Sequence, residues 1–134
     1  MNKQIQDAAR RYLGVPFVHQ GRSPQGLDCI GLLVQVAQDL KLEAHDFTAY
    51  SLRPSSRLLM ELIGKSCDRV EEAEPGDIMV FAMIGPGWPQ HAAIRTDRGM
   101  IHAMRGGPDR VIEHGFDDVW KQKLDSVWRF RWQS

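Results

Sequence analysis

Glu74-Pro75-Gly76-Asp77-Ile78-Met79-Val80-Phe81-Ala82-Met83-Ile84 is where the hydrophobic period of this chain changes, and the change decides the fold class. Pro75-Gly76-Asp77 signals a turn. The apolar run from Ile78 to Ile84, closed by Gly85, Pro86, Gly87 and Pro89, has the length of a buried strand. On its amino-terminal side the pattern is helical. Residues 3–13 place Ile5, Ala8, Ala9, Tyr12 and Leu13 on one face, and Gly14 and Pro16 then stop the helix. Residues 16–27 are rich in Gly and Pro and read as an ordered loop. From Asp28 a second helix, Cys29 to Leu40, is apolar around most of its circumference and should be buried. After a loop over 43–54, Pro54-Ser55-Ser56 leads into a helix carrying Leu58, Leu59, Leu62 and Ile63.

On the carboxyl-terminal side the pattern is that of strands. His91 to Thr96, Met100 to Met104 and Arg110 to His114 are short strands, separated by Asp97-Arg98-Gly99 and Gly106-Gly107-Pro108. A short helix around Phe116–Leu124 precedes a last strand, Ser126 to Trp132, whose alternation marks a sheet with one wet face. Helices followed by a meander of strands predict an α+β fold with an antiparallel sheet.

The 134 residues suit a single domain over 1–134. The apolar fraction is 43% and the charged fraction 25%, so a core can form without disulfides. Lys plus Arg and Asp plus Glu each number 17. The resulting neutrality argues against nucleic acid as a partner, and it leaves self-association open. No stretch approaches the roughly 18 apolar residues of a membrane span, and the amino terminus lacks a signal-peptide pattern. The expectation is a protein made in the cytoplasm without an export signal of its own.

Only Cys29 and Cys67 are available for thiol chemistry, too few for a disulfide framework. Cys29 stands at the predicted amino terminus of its helix, where free N–H groups and the macrodipole favour an anion. That position lowers a thiol pKa from about 8.5 toward neutrality, and an imidazolium lowers it further. His91, opening a strand after a Gly/Pro loop, is the best base. His102 follows in the next strand, and a short antiparallel turn would set the two rings side by side. His102 then orients His91 as the third member of a triad does.

Gly14-Val15-Pro16-Phe17, His19-Gln20-Gly21-Arg22, Gly26-Leu27-Asp28-Cys29, Gly31-Leu32, Pro75-Gly76-Asp77, His91-Ala92-Ala93-Ile94 and Ile101-His102-Ala103 occur in one order. The ordered set resembles the NlpC-type cell-wall cysteine peptidases, a compact papain-like family, from about residue 5 to 105. The resemblance implies amino-terminal helices with the nucleophile at a helix start, packed on an antiparallel sheet. It implies Cys29 as nucleophile, His91 as general base and His102 as the orienting residue. The substrate it implies is a peptidoglycan stem peptide, cut at the amide between D-glutamate and diaminopimelate or lysine. The stretch Pro16 to Arg22 is similar to phage members of the family, which implies phage tail proteins as partners and incorporation in a tail. Two positions depart from the family: Phe17 stands where many relatives have tyrosine, and Ile30 where serine is common.

Several residues carry competing readings. Cys29 as an inert buried thiol is the ordinary fate of a free cysteine, which the surrounding pattern argues against. Cys67 has no such pattern and reads as structural. His19 and Gln20 stand where they can replace the missing tyrosine hydroxyl, though His19 equally suits loop packing. Arg22 suits a substrate carboxylate or an ion pair with Asp28. Trp88 is placed to wall a cleft, while Trp120, Trp128 and Trp132 read as core and edge residues. His45 and His114 belong to no constellation and read as surface residues. Zinc on Cys29, His91 and His102 would want close-paired ligands that the sequence lacks, so neither metal nor other cofactor is expected. Besides hydrolysis, the residues leave open an assembly role in a phage tail and acyl transfer on the same thiol.

Overall fold

The computed structural model describes residues 2–42, 56–83, 90–106 and 108–131. α1 (Asn2–Arg10) buries Ile5, Ala8 and Ala9 at helical spacing. It ends earlier than the periodicity predicts, because Arg11 to Gly14 form a turn with Gly14 at φ 87°, a conformation that costs glycine nothing. Residues 14–17 then run along a sheet edge. Gly14 N–H donates to the Val111 carbonyl at 3.0 Å, Val111 N–H to Val15 at 2.8 Å, and Phe17 N–H to Asp109 at 2.7 Å. The predicted loop 16–27 is therefore anchored, and it contains a small antiparallel pair, β1 (Arg22–Ser23) and β2 (Gly26–Leu27). α2 (Cys29–Asp39) buries Ile30, Leu32, Leu33, Val34, Val36 and Ala37, so it is the central helix its composition predicts. α3 (Ser56–Ser66) follows.

The remaining elements are β3 (Cys67–Val70), β4 (Ile78–Phe81), β5 (His91–Thr96), β6 (Gly99–Met104), β7 (Arg110–His114), α4 (Asp118–Lys123) and β8 (Leu124–Phe130). The six strands form one antiparallel sheet in the order β3-β8-β4-β5-β6-β7. This is the α+β class predicted from the change of period. The sequence reading lacks β3, and the final strand starts two residues early and inserts between β3 and β4. The short helix is confined to Asp118–Lys123 because the Asp117 carboxylate caps it, accepting from Trp120 N–H at 3.1 Å. The Pro75-Gly76-Asp77 turn has its own anchor. Buried Asp77 takes Arg129 Nε and Nη2, both at 2.9 Å, and so ties the turn to β8.

Alternation gives the sheet two different faces. Ile78, Val80, Ala92, Ile94, Ile101 and Ala103 join the main core with α1, α2 and α3. Met79, Phe81, Ala93 and Met100 form a smaller cluster on the opposite face, against Phe116, Trp120 and Leu124. Each fully buried aliphatic side chain contributes about 1.5–3 kcal/mol, so the helical face dominates stability. Among the described residues no helix is long and apolar enough to cross a membrane.

Candidate active site

Cys29 is the first residue of α2, and its surroundings are built by Asp28. The Asp28 backbone is extended, and Oδ1 accepts from Gly31 N–H at 2.8 Å, an N-cap bond. The same oxygen meets Arg22 Nη1 at 3.2 Å, and Oδ2 accepts from Gln20 N–H at 2.8 Å. One buried carboxylate thus ties the helix start to the loop before it. Gln35 on α2 adds a second tie, donating to the Arg22 carbonyl at 2.8 Å. The packing is close enough to require Gly31, since a Cβ there would run into the Gly21 carbonyl oxygen. The Cys29 sulfur accepts hydrogen bonds from the N–H groups of Ile30 and Ala92. Ala92 follows His91 on β5, so the thiol meets the sheet at that strand's beginning.

The histidines come together through strand register. β4 pairs Phe81 with His91, β5 pairs Ile94 with Ile101, and β6 pairs His102 with Ile112. These registers place His91, His102 and His114 on one face, each diagonal to the next across neighbouring strands, within reach of ring side chains. His91 Nε2 lies 2.6 Å from His102 Nδ1, and His102 Nε2 lies 2.8 Å from His114 Nε2. His114 Nδ1 donates to the Gly115 carbonyl at 2.9 Å. These spacings are those of hydrogen bonds; two nitrogens sharing one zinc would stand about 3.3 Å apart. Trp120 on α4 packs against all three rings, at centroid distances of 6.3, 5.1 and 5.5 Å from His91, His102 and His114.

The electrostatics correct the expectation of a lowered thiol pKa. Burial first, then the Asp28 carboxylate, pushes the Cys29 thiol up to about 12, against the opposing Ala92 and Ile30 N–H bonds and the Arg22 charge. Burial first, then His114, lowers His91 to about 4. His102 is driven far down by burial, then by its two histidine neighbours. A helix terminus favours an exposed anion by only about 0.3–1 kcal/mol, while full burial shifts a group by as much as 3–5 pKa units at about 1.4 kcal/mol each. Desolvation wins. Cys29 therefore rests as a neutral thiol, and His91 and His102 as neutral imidazoles.

The sequence-predicted residues separate into groups. Cys29 reaches the start of β5 through its bond from Ala92 N–H, and the His91 and His102 rings are bonded to each other. Asp28, Gln20 and Arg22 act on the shape of the helix start; of the two readings of Arg22, the ion pair with Asp28 is the one present. His19 is half-buried in the turn before Gln20, whose φ is 62°. Phe17 packs its ring against the helical core. Trp88, His45 and Trp132 lie outside the described residues. His114 requires correction: read as a surface residue, it is the third ring of the histidine row. The signal for it was the repeated strand spacing, 91 to 102 to 114, which needs the exact hairpin registers to interpret.

Residues 14–129 match the NlpC/P60 family, whose members are cysteine peptidoglycan hydrolases. A Bacillus subtilis (strain 168) protein, gamma-DL-glutamyl hydrolase, is 27% identical over 123 residues, covering 91% of this chain. The chain spans 28% of that relative's length. Among solved structures, the NlpC/p60 domain of the peptidoglycan hydrolase SagA aligns with a TM-score of 0.64 at 27% identity, covering 95% of this chain and 97% of that one. An NlpC/P60 family protein from Bacillus cereus ATCC 10987 aligns with a TM-score of 0.74 at 21% identity, over 98% of this chain and 40% of that one. NlpC1 from Trichomonas vaginalis gives 0.72 at 20% identity, over 99% and 45%. The papain-like fold is shared by all three, and this chain belongs to the NlpC/P60 family.

Proposed function

We propose that this chain is a cysteine peptidase that hydrolyses an amide in peptidoglycan stem peptides, with Cys29 as nucleophile, His91 as base and His102 orienting it. The observation that carries the reading is the thiol at the start of α2, bonded to the N–H of Ala92, the residue after His91, whose ring is bonded to His102 at 2.6 Å. Because the resting pair is neutral, attack and proton transfer go together. The sulfur adds to the carbonyl carbon as its proton passes to His91, and the helix-start N–H of Cys29 is placed to receive the oxyanion. Collapse breaks the C–N bond, and the imidazolium proton leaves with the amine, giving a thioester. Water, deprotonated by His91, then releases the acid and the thiol regains its proton.

The bond proposed is that between the D-glutamate γ-carboxyl and diaminopimelate or lysine. The similarity to a gamma-DL-glutamyl hydrolase and to the SagA domain supports this choice. Incubation with stem peptides of both kinds, followed by mass spectrometry, should show a new amine on the diamino acid. Cleavage at another bond, or of neither peptide, would overturn the substrate assignment.

A phage tail setting is the second reading, favoured by the likeness of Pro16 to Arg22 to phage members. In it the chain is carried to the wall by the particle and also serves assembly. Cys29→Ala particles should then assemble normally and contain the protein; its failure to associate with any tail component would remove this reading.

A further inference from the structure

We propose that His114 is a positioning residue that sets the direction of every hydrogen bond in the histidine row, and so keeps Nδ1 of His91 free of a proton. The inference rests on His91 serving as base, but its logic begins at the other end of the row. The Gly115 carbonyl can only accept, so His114 carries its proton on Nδ1. A neutral imidazole has one N–H, and His114 Nε2 is therefore an acceptor. His102 Nε2, 2.8 Å away, must donate to it. His102 Nδ1 is then an acceptor in turn, and His91 Nε2, 2.6 Å away, must donate. Neutral His91 is left with a bare lone pair on Nδ1, the protonation state a base requires. One backbone carbonyl at the sheet edge thereby fixes three tautomers.

The surroundings favour this polarity. His102 is fully buried and His91 half-buried, and burial disfavours a second proton on either ring. Trp120 covers the row from α4 without offering a titrating group. The charges nearby point elsewhere. Lys123 lies over the Trp120 ring, and Lys121 and Arg95 lie over Phe116. Glu113, next to His114 on β7, is turned to the other face, where it binds Arg10 and Thr96. From β6 and β5, the titrating groups facing His114 are His102 and, beyond it, His91.

The test is nitrogen NMR of the histidine rings in the intact chain at about pH 7.5, with iodoacetamide alkylation of Cys29 alongside. His91 and His102 should be protonated on Nε2 and His114 on Nδ1. His114→Leu removes the acceptor; the tautomers of His91 and His102 should become mixed, and alkylation should slow about tenfold or more, because a wrongly tautomeric base is inactive. His114→Gln supplies an amide oxygen that accepts from His102 and should restore both readouts. A wild-type His91 protonated on Nδ1 would overturn the proposal even if the leucine variant does not fold. So would a folded leucine variant with unchanged tautomers and alkylation. Neither readout needs peptide turnover, so loss of the proposed function and loss of this inference are separable.

Discussion

Cys29 and Cys67 are both buried, at 8% and 4% exposure, and each is the first residue of an element. Their neighbours differ. Cys29 opens a helix, accepts two backbone N–H bonds and lies beside the first residue of β5. Cys67 opens an edge strand and lines an apolar cavity of about 40 Å³ with Ile30, Leu33, Leu62 and Phe130. Exposure alone ranks the two thiols together. What distinguishes Cys29 is its place at a helix start, with its sulfur bonded to the N–H of the residue that follows His91.

The largest effect is expected at the base: His91→Ala should cost about 10³-fold in peptide turnover, typical of a lost general base, and should leave Cys67 alkylation unchanged. An equal slowing at both cysteines would mean that the substitution disturbs the fold. Next comes pH. His91 is held neutral by burial, with its pKa lowered from 6.5 to about 4, so the unfolded chain takes up a proton before the folded one does. Its contribution is fully present above 6.5 and is lost as pH falls toward 4, on the order of 3 kcal/mol, to be read from urea midpoints across that range. A flat profile would contradict a buried neutral ring. The Cys29 thiol gives the mirror image: with its folded pKa raised to about 12, its contribution is present below the ordinary thiol range and lost as pH rises toward 12.

Asp28→Ala should cost about 2 kcal/mol, since it removes the N-cap and leaves Arg22 and the Gln20 N–H without this partner. The smallest effect falls on the other thiol. Cys67→Ala should lower stability by about 1 kcal/mol through lost packing and leave turnover within about threefold of wild type. A much larger rate effect would place Cys67 in the chemistry.

Local signals carried much of this structure. β5 and β7 were legible to the residue because turn-forming dipeptides bound both. Asp28-Cys29 marked the start of α2 because Asp is a favoured N-cap ahead of an apolar run. β3 was not legible: Cys67-Asp68-Arg69-Val70 has two exposed charges and its partner, β8, is about sixty residues away. His114 was invisible for a related reason. Its role depends on two successive strand registers, and a lone histidine carries no local mark of either. The direction of the thiol shift was misjudged because the helix terminus is apparent in sequence, whereas complete burial beside a carboxylate emerges only from packing.

The most direct test of the central claim is turnover of a γ-D-glutamyl-diaminopimelate stem peptide by the wild type, Cys29→Ala and Cys67→Ala in parallel. Wild type and Cys67→Ala should release the new amine, and Cys29→Ala only the background amount. Undiminished cleavage by Cys29→Ala would contradict that claim.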